Sequence, residues 1–140
     1  MKAPLKSFFF VIQLIPVLAF GQTYRTDLQM DLTHSGEKKI GHEKGTLIYS
    51  KDKGEFSVKF DNLQSTETYK ISYIDKRDNG DHMQTMYEIV GDLNYGGFKV
   101  AEYKSPIKIG DSSYPVSFTI IGMNEYGGIA YYTTFYAKKK

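Results

Sequence analysis

The strongest constraint on this chain is an alternation of apolar and polar residues that recurs from Tyr24 to Ala137, broken every few residues by Gly, Asn or Asp. Period-two alternation marks half-buried strands, and glycine-bearing polar clusters between them mark turns. Residues 112–140, SSYPVSFTIIGMNEYGGIAYYTTFYAKKK, carry the pattern most fully: Val116–Ile121, a turn within Gly122–Gly128, then Ile129–Ala137. Gly45–Phe60 is the second clear hairpin. There Thr46–Ser50 faces Glu55–Phe60 across Lys51-Asp52-Lys53-Gly54, with glycine where a positive φ is wanted.

The remaining segments follow the same logic. In Tyr24–Thr33, residues Tyr24, Thr26, Leu28, Met30 and Leu32 fall on one face of a strand. A short helix competes, because Thr26 with Gln29 fits a capping box and Leu28 with Leu32 is an i,i+4 pair; the alternation favours the strand. His34–Lys44 reads as an exposed loop. Thr68–Ile74 places Tyr69, Ile71 and Tyr73 on one face, and Met83–Val90 sets Met83, Thr85, Tyr87 and Ile89 opposite His82, Gln84, Met86 and Glu88. Between them Asp75–Asp81 is a polar turn centred on Asn79-Gly80. Gly91–Gly97 reads as a turn, Phe98–Tyr103 as a short strand, and Ile107–Ile109 as an edge strand. Pro106 and Pro115 suit strand starts and edges, since proline donates nothing to a ladder.

The pattern predicts an all-β domain, an antiparallel meander of eight or nine strands with no long helix and no fixed repeat. Such a meander closes as a small up-and-down barrel or folds into a β-sandwich, and the barrel is preferred. Eight strands enclose an interior that is filled by side chains or holds one small ligand. The last strand decides the fork. Paired back onto Tyr24–Thr33 it closes the barrel; left open it is an edge that recruits other strands.

Met1–Gly21 has Lys2 and Lys6, an apolar run from Phe8 to Phe20, and Ala19-Phe20-Gly21 before Gln22. That is the layout of a secretory signal peptide, and it resembles Gram-negative export signals. A membrane anchor needs roughly 20 apolar residues, and this run is shorter and broken by Gln13 and Pro16. The expectation is cleavage after Gly21, leaving residues 22–140 as a single periplasmic or secreted domain with no membrane span. The signal holds two of the 18 basic residues and none of the 16 acidic ones, so the remainder carries no net charge. With Lys138, Lys139 and Lys140 forming a terminal tail, the body is slightly acidic. A phosphate-neutralising basic face is missing, which argues against nucleic acid. The absence of cysteine removes thiol catalysis, Cys-based metal sites and a lipid-anchored terminus. An outer-membrane barrel needs strands of about 9–11 residues; several segments are shorter, and Lys59, Lys70 and Lys99 fall mid-strand.

Few residues point to chemistry. His34 and His42 share one loop and His82 lies elsewhere, without the close spacing of a zinc site. Asp75, Asp78 and Asp81 cluster at one turn, and Asp61 and Glu67 near another, as turn chemistry favours. The Asp78–Asp81 run lacks the spacing and terminal Glu of an EF-hand. Nucleophile-elbow, phosphate-loop and HExxH motifs are missing, and the pairs Gly96-Gly97 and Gly127-Gly128 read as hairpin turns. No catalytic residue, metal ligand or cofactor is therefore assigned. What stands out is the tyrosine content: 12 Tyr among the 140 residues, and no Trp. Tyr joins an apolar body to a polar tip, so Tyr69 with Tyr73, and Tyr132 with Tyr136, are the candidate ligand-binding faces, although tyrosine also serves strands structurally. The expected function is an exported, non-enzymatic binding module for a small amphipathic molecule or a protein surface. The alternatives are an envelope interaction protein acting through a β-edge, and a hydrolase using loop carboxylates.

Overall fold

The computed structural model describes residues 21–140 of the chain; the expected export signal, Gly21 apart, lies outside the described residues. Nine strands follow one another: β1 (Gln22–Thr33), β2 (Lys38–Gly41), β3 (Gly45–Ser50), β4 (Glu55–Phe60), β5 (Glu67–Asp78), β6 (His82–Val90), β7 (Tyr95–Ile109), β8 (Ser112–Met123) and β9 (Ile129–Lys139). Both β2 and β3 pair along one edge of β1, β2 against Gln29–Leu32 and β3 against Gln22–Thr26, so together they fill a single strand position. From β3 to β9 each strand pairs antiparallel with the next. Closure comes from β9 on β1, in register from Tyr24↔Lys139 to Thr33↔Tyr131. The result is the small up-and-down barrel preferred from the sequence: eight positions closed, with β2 as an extra piece. Residues 26–33 are strand, not helix. Because β9 is bonded to β1 and β8, the last strand is not a free edge.

Several boundaries differ from the sequence-based expectation. The segment 34–44 is not all loop, since Lys38–Gly41 turns back onto β1. Strand β5 absorbs half of the expected Asp75–Asp81 turn. The segments 98–103 and 107–109 belong to one strand, which loops out between Glu102 and Ile107, where Pro106 has no N–H to donate. Gly96 and Gly97 sit inside β7 and not in a turn: a Cβ on Gly96 would lie 2.6 Å from the Met123 sulfur. By contrast Gly54 and Gly80 adopt φ of +64° and +90°, as their turns require.

The most consequential departure is in β1. Its pairing with β9 slips between Thr26 and Leu28, leaving Asp27 as an unpaired bulge residue. A one-residue slip exchanges the two faces of a strand. Tyr24 and Thr26 therefore point inward with Ala137, whereas Leu28, Met30 and Leu32 turn outward beside Tyr136, Thr134 and Tyr132. The expected five-residue apolar face is split in two. Gln29, Asp31 and Thr33 point into the barrel instead.

The middle of the barrel is full. Phe56, Phe98, Phe118, Leu47 and Val100 are its largest fully buried side chains. Phe56 sits with its ring centroid 4.5 Å from that of Phe98 and 5.2 Å from that of Phe118, and Phe135 completes the plug. Tyrosines lie toward both ends, where their hydroxyls find partners and their rings extend the apolar stack.

Candidate functional site

One end of the barrel carries the chain termini and the turns at 51–54, 79–81 and 110–111; the far end carries those at 34–37, 61–66, 91–94 and 124–128. Three inward tyrosines from three strands meet at the far end: Tyr69 at the start of β5, Tyr95 at the start of β7 and Tyr131 near the start of β9. The Tyr69 and Tyr95 rings stand nearly perpendicular, with centroids 5.1 Å apart, and Tyr69 is underlain by Phe56. Room for Tyr131 comes from Gly122. A Cβ there would lie 2.2 Å from the Tyr131 ring, a contact that cannot exist, and Gly122 pairs with both Tyr95 and Tyr131.

Polar groups surround these rings. The Tyr69 hydroxyl donates to Glu67 Oε2 at 2.7 Å. Thr133 Oγ1 donates to Asp31 Oδ1 at 2.8 Å, and Gln29 Nε2 reaches the same oxygen at 3.3 Å. Burial, then the hydrogen bond and charge of Glu67, then Tyr95, push the Tyr69 phenol well above its ordinary value. Burial also raises Tyr131, followed by Tyr95, with which it shares a hydrogen bond, and by the carboxylates of Asp31 and Glu67. At neutral pH both phenols are uncharged. In that form they both donate and accept hydrogen bonds.

Two open clefts flank the tyrosines. One, of about 370 Å³, is lined by Glu67, Tyr69, Lys70, Ile89, Asp92 and Tyr95 among others. The other, of about 380 Å³, is lined by Asp31, Thr33, Lys39, Tyr131 and Thr133 among others. No known protein family, characterised protein or solved structure matches this chain. The site is therefore read from its own geometry.

Of the tyrosines singled out in the sequence, Tyr69 is at this mouth. Tyr73 lies toward the opposite end, 62% exposed, with its ring against Tyr87. Tyr132 and Tyr136 lie on the outer face of β9, because Phe135 and Ala137 between and beyond them are core. The structure does not bring the four together. Tyr95, Tyr131, Asp31 and Thr133 were missed, and Glu67 was legible only as a carboxylate near a turn. Tyr95 had been absorbed into an expected turn, and Asp31 changes face only through the Asp27 bulge. Gly122 carries the signal of a close approach, but beside Asn124 and Gly127 it reads from sequence as part of the turn, whereas β8 runs through it to Met123.

The other candidates are elsewhere. A second tyrosine group at the end with the termini joins the Tyr49 and Tyr87 hydroxyls directly, with Tyr24 bonded to Gln22. There, burial raises Tyr49 first, and the Tyr87 hydrogen bond adds to it. His34 belongs to the far end. His42 lies beside the middle of β1, between Gly41 and Gly45, which pair with Gln29 and Thr26. His82, bonded to Asp81 at 2.7 Å, belongs to the other end. Asp78 is held by Lys104 at 2.9 Å and caps the Gly80 N–H. Among the described residues no group of three His, Cys, Asp or Glu is placed to hold a metal ion.

Proposed function

We propose that this chain is an exported, non-enzymatic binding module that receives a small molecule at its far-end mouth and not in the barrel interior. The observation that carries this reading is the contrast between centre and end. The phenylalanine plug fills the middle, while Tyr69, Tyr95 and Tyr131 stand beside clefts of about 370 and 380 Å³. A few convergent polar groups on an aromatic wall are what small-molecule sites require. Support for a freely dissolved chain comes from the outward charges Lys59, Lys70, Glu88 and Lys99, which alternate with core residues along β4 to β7.

The test is native mass spectrometry of purified residues 22–140, followed by thermal denaturation with a broad metabolite set. A retained or stabilising small molecule is expected, and the paired change Tyr95→Ala with Tyr131→Ala should abolish the effect. Neither retention nor any stabilising compound would refute the proposal.

A second reading, recognition of a protein surface, is favoured by one feature. Leu32 and Ile40 are 40% and 52% exposed on the outer face of neighbouring β1 and β2, next to Tyr132. Under that reading Leu32→Lys with Ile40→Lys abolishes partner capture and leaves small-molecule binding intact.

A further inference from the structure

The far-end mouth mixes charges of both signs around its phenols. Asp31 and Glu37 share one cleft with Lys38 and Lys39, and Glu67 and Asp92 share the other with Lys70. A simple ion entering either cleft meets repulsion as well as attraction, so neither sign is strongly selected. What the mouth offers in quantity is groups that both donate and accept, the hydroxyls of Tyr95, Tyr131 and Thr133. Two carboxylates, Glu67 and Asp31, add acceptors, and neither is in an ion pair among the described residues. The walls are ring faces and edges.

The matching ligand has no net charge, several hydroxyls that donate and accept, and an apolar face to lie against a ring. Resting on the mouth as the ligand site, we infer that its two clefts are adjoining subsites for a neutral saccharide, with Tyr95 and Tyr131 as the wall between them. At about 370 and 380 Å³ each cleft is near the small end of the range for ligand pockets. Each takes a sugar unit better than an extended apolar chain. The C–H face of a sugar ring lies on tyrosine, and its hydroxyls donate to Glu67 or Asp31. Linked units that straddle the wall use both clefts at once, so chain length raises affinity without any new kind of contact.

The experiment is an NMR titration of isotopically labelled residues 22–140 with neutral gluco-, manno-, galacto- and xylo-configured saccharides, from monosaccharide to hexasaccharide. Tetramethylammonium chloride and a sulfated oligosaccharide serve as charged probes. The expected result is amide shifts at Glu67, Tyr95, Tyr131 and Thr133 with one neutral series, tightening with length and unchanged by added salt. Tyr95→Ala should weaken binding about tenfold, and Tyr95→Phe, which keeps the ring and the fold, should weaken it less. If a charged probe moves these amides in a salt-sensitive manner while neutral saccharides do not, the saccharide inference is overturned and the ligand-site reading stands. If no probe moves them, both fall.

Discussion

Single residues decide whether the mouth exists. Gly122 is the clearest case, because any side chain there collides with the Tyr131 ring. Gly122→Ala should cost about 1–3 kcal/mol, the usual range for overpacking, and shift the Tyr131 ring resonances; urea denaturation and NMR check both. In the plug, Phe118 is fully buried against Phe56 and Phe98. Phe118→Ala should cost about 3–5 kcal/mol, a large part of the total for a domain of this size, read as a lower denaturation midpoint. The phenols set the alkaline limit. Tyr49 and Tyr69 are raised above the ordinary value of 10.0, chiefly by burial. Above that pH the unfolded chain releases phenolic protons that the folded chain retains, so stability is intact below pH 10 and falls as pH rises further. Tyrosinate absorbance should appear together with unfolding for these residues. Their ionisation within an intact barrel would contradict the burial described.

At the level of elements, alternation made the strands legible and bulges hid the faces. The hairpin Gly45–Phe60 and the turn at Asn79-Gly80 stand where turn chemistry placed them. The face of β1 does not, because nothing in the residues 24–33 announces that Asp27 will drop out of the ladder. That slip is what aims Asp31 into the mouth and turns Leu28, Met30 and Leu32 outward. Strand β9 was ambiguous for a related reason: both its faces are apolar enough to be core, so Tyr132 and Tyr136 looked as inward as Phe135. The bulge residue accepts a hydrogen bond from the Tyr114 hydroxyl at 2.7 Å. Asp27→Ala should therefore cost about 1–2 kcal/mol and preserve the mouth. Deleting Asp27 makes Thr26↔Ala137 and Leu28↔Tyr136 consecutive pairs and leaves the other faces of β1 as they are, so it should cost about as much as the alanine change; comparative urea melts check both. Removing Ile129–Lys140 should unfold the domain, since β9 carries the seam with β1, whereas a dispensable edge strand would leave a folded remainder.

For the molecule as a whole, closing an antiparallel meander leaves two ends and a centre, and composition separates them. Phenylalanine occupies the middle, where no hydroxyl would find a partner, and tyrosine occupies the ends, where phenols bond to one another or to carboxylates. The barrel itself was within reach of the sequence, because strand count and turn spacing leave few closures. The tyrosine mouth was not, since it depends on Gly122 making room between Tyr95 and Tyr131 and on Tyr69 of β5 reaching Tyr95. The most direct test of a plugged barrel with one receptive mouth is a fragment screen on labelled residues 22–140, followed by amide and aromatic NMR shifts. The account predicts shifts concentrated at Tyr69, Tyr95, Tyr131, Thr133 and Gly122, with Phe56, Phe98 and Phe118 unmoved. Shifts centred on those phenylalanines, or along the outer face at Tyr132 and Tyr136, would contradict it.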